Sequence, residues 1–297
     1  MNFLSTRHGS VAYTQSGSAS DATLLMLHNG GTDHTIWKPV IQALGGSYRI
    51  TAIDWLGYGD SDELTGGDVL EIYADVIKEV IDQLDLQQVI LVGNCVGSAA
   101  ALRFARSDSA RSPGASRVKA LVLFNVLTAE TLTFSSRLAA WMLKLPAGKG
   151  LMGFIAGAMT SIELGRDAVV KFQLRSPGQV AGGLRAHLAN LYALPANATN
   201  LMALGRQVIA SPSFMGLERS DGLPPTMVIW GKHNRVLSAL RGRRFVKRYH
   251  PLASYFEEGG HLVMMEAPKR CAQLIGTFAK AHAEPDNDVR VEERPAA

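Results

Sequence analysis

Residues 89–98 read VILVGNCVGS, and this stretch decides the fold. Val89–Val92 is uniformly apolar and predicts a buried strand, and the Ala-rich segment Ser98–Arg106 after it predicts a helix. Between them two glycines flank Cys95, a pattern typical of a strained turn that lifts one side chain above the carboxyl end of a strand. There the thiol would meet the positive end of a helix dipole, which favours the thiolate. Cys95 is therefore the candidate nucleophile.

Other apolar runs of strand length are spread along the chain on both sides of this turn. Strands are predicted at Val11–Thr14, Thr23–Leu27, Tyr48–Ile53, Gln88–Val92, Lys119–Phe124, Thr226–Trp230 and Ser254–Glu257. Helical patterns lie between them, and Asp68–Leu84 repeats its apolar residues at the 3.6-residue spacing of a helix. Strands that alternate with helices predict the α/β class, with a doubly wound, mostly parallel sheet covered on both faces.

The alternation stops between residues 129 and 222, which are rich in Leu, Met, Ala and Gly. Apolar helical segments are predicted there at Leu138–Leu145, Leu151–Met159 and Leu184–Leu194. We predict a core in two parts, residues 1–128 and 223–282, with residues 129–222 inserted as a helical cap and residues 283–297 as a flexible polar tail. The alternative for the insertion is a further set of helices covering the main sheet.

Composition excludes several classes of protein. Of the 297 residues 47% are hydrophobic and 19% charged, which favours a large core over disorder, and the net charge of +4 is too small and dispersed to indicate nucleic-acid binding. No segment reads as a membrane span or a secretory signal, and two isolated cysteines suit a reducing compartment. We expect a cytoplasmic protein. Without ligand-spaced His and Cys or a phosphate-binding glycine motif, no metal and no cofactor is predicted.

Four further segments show a resemblance to a known family. In chain order they are LHNGG (residues 27–31), DWLGYGDS (54–61), WGKHN (230–234) and GGH (259–261). With the GNCVG turn they resemble the α/β-hydrolase superfamily: its His-Gly loop, its D-x-x-G-x-G-x-S turn, its W-G-x-x-D motif and its final G-H. The likeness covers nearly the whole core. It implies the α/β-hydrolase fold and acyl chemistry, with nucleophile, acid and histidine in that order.

Matched to those motifs, the resemblance assigns roles to five residues. Cys95 would be the nucleophile and His261 the general base and then acid, while the backbone N–H groups of Val96 and Gly30 would form the oxyanion hole. Cys95 stands where the family usually has Ser. Asn234 stands where the family places its acid.

We expect the two departures to belong together. In a serine triad, replacing the acid by its amide lowers turnover ~10⁴-fold, because the histidine adopts the wrong tautomer. A cysteine site tolerates an amide better, since Asn234 can orient the ring by accepting a hydrogen bond from its N–H, as in Cys-His-Asn proteases. The rivals of Asn234 as third member are Asn125, Asp33 and Asp60.

Structural roles are expected for the other notable side chains. We expect His28 and Asp54 to stabilise their loops, Cys271 to be a buried apolar residue, and His233 to lie in an exposed loop. The basic residues between 241 and 248 indicate a solvated helix face. The alternative is that this face binds an acidic partner such as a carrier protein or a CoA phosphate.

The first functional hypothesis is acyl transfer or thioester cleavage through an acyl-Cys95 intermediate, because a thiolate exchanges readily with thioesters. Here the chain resembles the cysteine-containing acyltransferase and thioesterase-like branches of the superfamily, which implies a small acyl substrate, free or bound to CoA or a carrier. The alternatives are an ester or lactone hydrolase with the same residues, a catalytically silent ligand receptor, and a non-acyl lyase. The oligomeric state stays open.

Overall fold

Eight strands form one sheet in the computed structural model, which describes residues 1–17, 22–107, 117–142 and 163–283. The strands are β1 (Asn2–Thr6), β2 (Gly9–Ser16), β3 (Thr23–Leu27), β4 (Arg49–Ile53), β5 (Val89–Asn94), β6 (Val118–Phe124), β7 (Thr226–Gly231) and β8 (Ala253–Glu257). Their order across the sheet is β1-β2-β4-β3-β5-β6-β7-β8. The β1–β2 and β2–β4 pairs are antiparallel, and the other pairs are parallel.

Helices connect these strands and cover both faces of the sheet. The α-helices are α1 (Lys38–Leu44), α2 (Val69–Gln83), α3 (Val96–Arg106), α4 (Phe134–Met142), α5 (Glu163–Gln173), α6 (Gly182–Ala193), α7 (Pro195–Val208), α8 (Ala239–Tyr249), α9 (Val263–Glu266) and α10 (Pro268–Ala283). Two buried apolar clusters result, one packed with α2, α3 and α8 and the other with α1 and α10. This two-sided burial explains why the central strands are apolar without alternation.

The central position of β5 decides where the chemistry lies. This strand pairs in parallel with β3 on one side and β6 on the other, with Gly93 opposite both Leu27 and Leu123. Because parallel strands end at the same edge of a sheet, the turns after β3, β5 and β6 lie side by side. Those turns contain His28, Cys95 and Asn125.

The predicted fold class, an α/β-hydrolase fold with a mostly parallel sheet, is confirmed. β1 was not predicted; it is a short edge strand that pairs only with β2 and leaves Phe3 60% exposed. Its mixed polar pattern has no buried run to reveal it. No helix in the described ranges is long and apolar enough to cross a membrane.

The described part of residues 129–222 contains helices α4–α7 and no strand of the sheet; one isolated bridge joins Leu132 to Leu237. The predicted helix Leu151–Met159, the end of Leu138–Leu145 and the tail from residue 284 lie outside the described residues. The division into core, cap and tail stays a prediction.

Candidate active site

Cys95 lies in a strained turn between β5 and α3. Its backbone angles, φ 55° and ψ −112°, are unusual for a residue other than glycine. Glycine is required at positions 93 and 97 because other backbone atoms lie too close to leave room for a Cβ. A Cβ on Gly97 would lie 2.4 Å from the Leu27 carbonyl oxygen, and one on Gly93 would lie 2.5 Å from the carbonyl carbon of Gly97. The turn therefore depends on both glycines, as the sequence pattern predicts.

Burial dominates the electrostatics of the thiol. Cys95 is 6% exposed, and burial raises the pKa of its thiol to about 12, although the Val96 N–H lowers it in part. The helix dipole stabilises a thiolate at the N-terminus of α3 by about 0.3–2 kcal/mol. This is less than the free-energy cost of placing an unpaired anion in an apolar site. The expected bias toward thiolate is therefore wrong for this site, where the resting form is the neutral thiol.

His261 lies in the turn after β8, and the backbone holds this turn tightly. Its N–H donates to the Gln173 carbonyl oxygen at 2.7 Å, and the Glu266 carboxylate accepts from the Gly260 N–H at 2.6 Å. The ring is buried, which lowers its pKa to about 3. The imidazole is thus neutral at physiological pH. No hydrogen bond joins the Cys95 sulfur to the His261 ring, both of which the structure describes.

Asn234 is the residue that contacts the His261 ring. Its side-chain nitrogen lies 3.0 Å from Nδ1 of His261. Its side-chain oxygen accepts from the backbone N–H groups of Val236 and Leu237, both at 2.9 Å. Backbone N–H groups only donate, so they fix the oxygen on their side and turn the NH₂ group toward the ring. The position is the one expected. The expected role is reversed: Asn234 donates to the ring.

The rivals of Asn234 make no hydrogen bond to the ring. Asn125 donates to the His261 backbone oxygen at 3.1 Å and accepts from the Asn234 amide at 2.9 Å. Asp33 accepts from Thr35 and lies 2.6 Å from Nε2 of His187. Asp60 donates its own N–H to Asp54. Only Asn234 therefore occupies the place of a third triad member.

A cavity of about 440 Å³ opens above Cys95 and His261. Loop and turn residues contribute Asn29, Gly30, Leu127, Leu132 and Val236 to its lining, and helices α4–α7 contribute the rest. The side chains from α7 are mostly apolar: Ala198, Leu201, Met202, Leu204 and Val208. No Lys, Arg, Asp or Glu occurs among the lining residues that the structure describes.

The two residues predicted to form an oxyanion hole lie near Cys95, and the oxyanion hole itself stays a prediction. Gly30 lines the cavity, and Val96 is the first residue of α3, where an N–H has no partner within its helix. The loop before Gly30 is fixed by His28, whose Nε2 accepts from the Trp55 N–H at 2.9 Å. Burial lowers the pKa of His28, in keeping with a neutral structural ring.

Gln173 and Tyr192 are lining residues that the sequence analysis missed. The Gln173 amide nitrogen donates to the Tyr192 oxygen, and its side-chain oxygen is buried with no hydrogen-bond partner in the structure. Gln173 is 7% exposed. No local motif marks either residue, because both lie on helices of the 129–222 segment and reach the site only through tertiary packing.

The remaining expectations concern structural side chains. Asp54 accepts from the His34 and Asp60 N–H groups, as predicted, and Cys271 is fully buried. His233 is exposed beside Glu258. On α8, Arg248 pairs with Glu130. No group of three or more His, Cys, Asp or Glu in the described residues could hold a metal ion.

The family follows from a match that runs through this whole arrangement. Residues 24–274 match the model of the "Alpha/beta hydrolase family". The chain belongs to the alpha/beta hydrolase family. The matched range includes most of β3 and the loop after it, the Cys95 turn, Asn234 and His261.

Three further proteins resemble this chain along most of its length. It is 26% identical over 272 residues to a 2-hydroxy-6-oxononadienedioate/2-hydroxy-6-oxononatrienedioate hydrolase of Cupriavidus pinatubonensis, covering 88% of this chain and 87% of the relative. It is 24% identical to 3-oxoadipate enol-lactonase 1 of Acinetobacter baylyi, covering 94% and 96%. A thermophilic esterase from Thermogutta terrifontis has the same fold, with a TM-score of 0.70 at 20% identity over 94% of this chain and 98% of the esterase.

Proposed function

We propose that this alpha/beta hydrolase cleaves a neutral, largely apolar ester or lactone through an acyl-Cys95 intermediate. The observation that supports this most is the position of Cys95. The thiol lies on a strained turn that opens into an apolar cavity, beside His261 and the N–H groups of Gly30 and Val96. Nucleophilic attack on an acyl group needs a nucleophile, a base and oxyanion-binding donors placed around the same carbonyl group.

The lining of the cavity supports a neutral substrate. The two relatives are named for a dioate and for an oxoadipate, which both contain two carboxylates. Moving a carboxylate from water into a buried site without a cationic partner costs roughly several kcal/mol. The described lining offers no cation. We therefore propose that this enzyme and its relatives share their fold and reaction class but differ in substrate charge.

The proposed reaction has two steps. The Cys95 sulfur attacks the carbonyl carbon, the N–H groups of Val96 and Gly30 bind the resulting oxyanion, and collapse expels the alcohol or enol oxygen. His261 moves the thiol proton to that leaving oxygen. Water then adds to the acyl-Cys95 thioester, His261 takes a proton from the water, and the products are a carboxylic acid and the restored thiol.

A sulfur nucleophile restricts the leaving group. A thiolate is a better leaving group than a simple alkoxide, so the tetrahedral intermediate returns to substrate unless the departing group is stabilised. Enols, lactone oxygens under strain and thiols meet this condition. Acyl transfer, our first expectation from sequence, would pass through the same acyl-Cys95 and differ only in the acceptor. The relative from Cupriavidus pinatubonensis is named a hydrolase and the one from Acinetobacter baylyi an enol-lactonase, and these two names favour water as the acceptor.

A second candidate is a ligand receptor without turnover. The neutral resting thiol and neutral ring favour it, because no ion pair is poised for attack. In that case the cavity would bind a small apolar carbonyl compound and release it unchanged.

Intact-protein mass spectrometry tests the proposal. Wild type and Cys95→Ala are mixed with neutral enol esters and thioesters of short and medium acyl chains, with Cys271→Ala as the matched cysteine control. We expect a transient acyl adduct and acid release from wild type and Cys271→Ala, and neither from Cys95→Ala. Undiminished hydrolysis by Cys95→Ala would overturn the mechanism. Ligand binding without adduct or product would favour the receptor.

A further inference from the structure

Four asparagines form a hydrogen-bonded chain beneath the site, and its three links all run in the same direction. The Asn234 amide donates to the Asn125 oxygen at 2.9 Å, Asn125 donates to the Asn94 oxygen at 3.0 Å, and Asn94 donates to the Asn29 oxygen at 3.2 Å. Asn29, Asn94, Asn125 and Asn234 are at most 7% exposed. The chain connects the turns after β3, β5, β6 and β7.

Backbone donors fix the direction of this chain. The N–H groups of Val236 and Leu237 point at the Asn234 oxygen, and the Gly231 N–H donates to the Asn125 oxygen at 3.0 Å. Turning the Asn234 amide over would set its NH₂ against two N–H groups and its oxygen against the Asn125 oxygen. Three hydrogen bonds would be lost at once in a buried place, so the observed orientation is strongly preferred.

We infer that Asn234 holds resting His261 in the tautomer whose proton is on Nε2, so that the site contains a hydrogen-bond donor and no base. The Asn234 NH₂ group faces Nδ1 at 3.0 Å, so Nδ1 must accept and have no proton of its own. A neutral imidazole then has its single proton on Nε2. Asn234 acts through the ring and is a positioning residue.

This tautomer changes what the site can do at rest. An Nε2–H group cannot accept the Cys95 proton, but it can donate to a ligand oxygen together with the Val96 and Gly30 N–H groups. A doubly protonated ring would bring its Nδ1–H against the Asn234 NH₂ group, so a thiolate–imidazolium pair is disfavoured as well. The resting enzyme thus polarises a bound carbonyl before it has a nucleophile. Apart from His261 itself, the titratable groups among the described residues that line the same cavity are Cys95 and Tyr192.

In turnover, the ring must present a lone pair at Nε2, and the Asn234 amide must turn over for Nδ1 to hold the proton. This consequence rests on the proposed function; the resting tautomer does not. In Asn234→Asp no such rotation is needed, because the carboxylate at position 234 would accept a hydrogen bond from Nδ1–H directly. The amide therefore limits the rate at which Cys95 is deprotonated.

Nuclear magnetic resonance of the full chain with ¹⁵N-labelled histidine tests the tautomer without any substrate. Long-range ¹H–¹⁵N correlations distinguish protonated from unprotonated ring nitrogens, and the signals lost in His261→Gln identify the residue. We expect a protonated Nε2 and an unprotonated Nδ1 in wild type from about pH 6 to 9. A protonated Nδ1 with a free Nε2, or a ring protonated on both nitrogens, would overturn the inference.

Asn234→Asp supplies the matched change, with Asn190→Asp as control because Asn190 is exposed and does not line the cavity. In Asn234→Asp we expect the proton on Nδ1 and at least about tenfold faster alkylation of Cys95 by iodoacetamide at pH 7. Asn190→Asp should match wild type in both. If the His261 proton moves to Nδ1 in Asn234→Asp but the alkylation rate of Cys95 stays the same, the tautomer does not control deprotonation of the thiol. If Asn234→Asp does not fold, the wild-type spectrum decides. A failed acylation test with the expected tautomer would refute only the proposed function.

Discussion

The side-chain oxygen of Asn125 lies 2.9 Å from the side-chain nitrogen of Asn234 and also accepts from the Gly231 N–H at 3.0 Å. Because this oxygen is an acceptor, it favours a side chain at position 234 that donates a hydrogen bond. A carboxylate there would meet the Asn125 oxygen without a proton between them. The amide at 234 and the amide at 125 therefore belong to one arrangement, which determines how far a serine triad can be restored.

Cys95→Ser should have poor activity, and adding Asn234→Asp should recover only part of it. A serine hydroxyl needs a base at Nε2, and the amide in place of an acid lowers serine catalysis ~10⁴-fold. The Asp would supply the acceptor for Nδ1–H but would be opposed by the Asn125 oxygen. Measured kcat/KM for an enol ester should rank wild type above the double variant and the double variant above Cys95→Ser. Equal activity of Cys95→Ser and wild type would contradict the argument; Cys95→Ala with Asn234→Asp is the background control.

Alkylation of Cys95 should be slow at neutral pH and rise steeply with pH. With a thiol pKa of about 12, only ~10⁻⁵ of the thiol is ionised at pH 7, and the rate should increase about tenfold per pH unit from 7 to 10 without a plateau. Iodoacetamide labelling followed by mass spectrometry measures this. Cys271 is also buried with a raised pKa, so a Cys271→Ala background isolates the signal. A plateau below pH 9 would show an activated thiolate instead.

Acid should destabilise the fold through His261. Burial lowers its pKa to about 3 in the folded chain, whereas the unfolded chain binds the proton near pH 6.5. The unfolded state therefore binds more protons between these values, and stability is lost as pH falls through that window, by up to about 1.4 kcal/mol per pH unit for one group. Urea unfolding at pH 7, 6 and 5 should show a shallower decline in His261→Gln than in wild type. Parallel declines in the two proteins would contradict this assignment.

Gln173 should select substrates that have a hydrogen-bond donor on the acyl chain. Its buried oxygen has no partner in the structure and lines the cavity. An unpaired buried acceptor is destabilising by about 1–3 kcal/mol, and a substrate hydroxyl would satisfy it. The ratio of kcat/KM for a hydroxylated over an unsubstituted ester should fall about 5- to 150-fold in Gln173→Met, the factor that corresponds to this energy.

Met202→Leu is the matched control for that experiment, because it changes the lining without changing a polar group. Its substrate ratio should equal that of wild type. If Gln173→Met left the ratio unchanged, the side-chain oxygen would have no role in substrate choice.

Local sequence determines much of this fold and of the candidate site. The apolar run before Cys95 and its two glycines predict the turn because a strand end and close backbone contacts need those residue types at those positions. Asn234 and His261 could be placed beside each other from motif order. The direction of the amide could not, since it depends on N–H groups and oxygens that meet only when four strand ends converge. The thiol pKa depends on burial, which arises only when the chain is folded, and Gln173 reaches the site through tertiary packing of its helix.

Gly97→Ala should disrupt the site, because a side chain at position 97 would collide with the end of β3 and the loop that contains Gly30. An added Cβ would lie 2.4 Å from the Leu27 carbonyl oxygen and 2.8 Å from that of His28. To relieve this contact, α3 must move away from the end of β3, and the N–H groups of Val96 and Gly30 then separate. We expect a loss of about 1–3 kcal/mol or more in the free energy of unfolding.

Gly178→Ala is the control, because nothing lies within 4 Å of a Cβ built on Gly178. Its unfolding free energy and kcat should match those of wild type. For Gly97→Ala, urea unfolding gives the stability, and the kcat of the fraction that stays folded reports on the two N–H groups. A Gly97→Ala protein with wild-type stability and kcat would mean that the turn tolerates a Cβ. The close approach of α3 to β3 would then not be what places Cys95 beside Gly30.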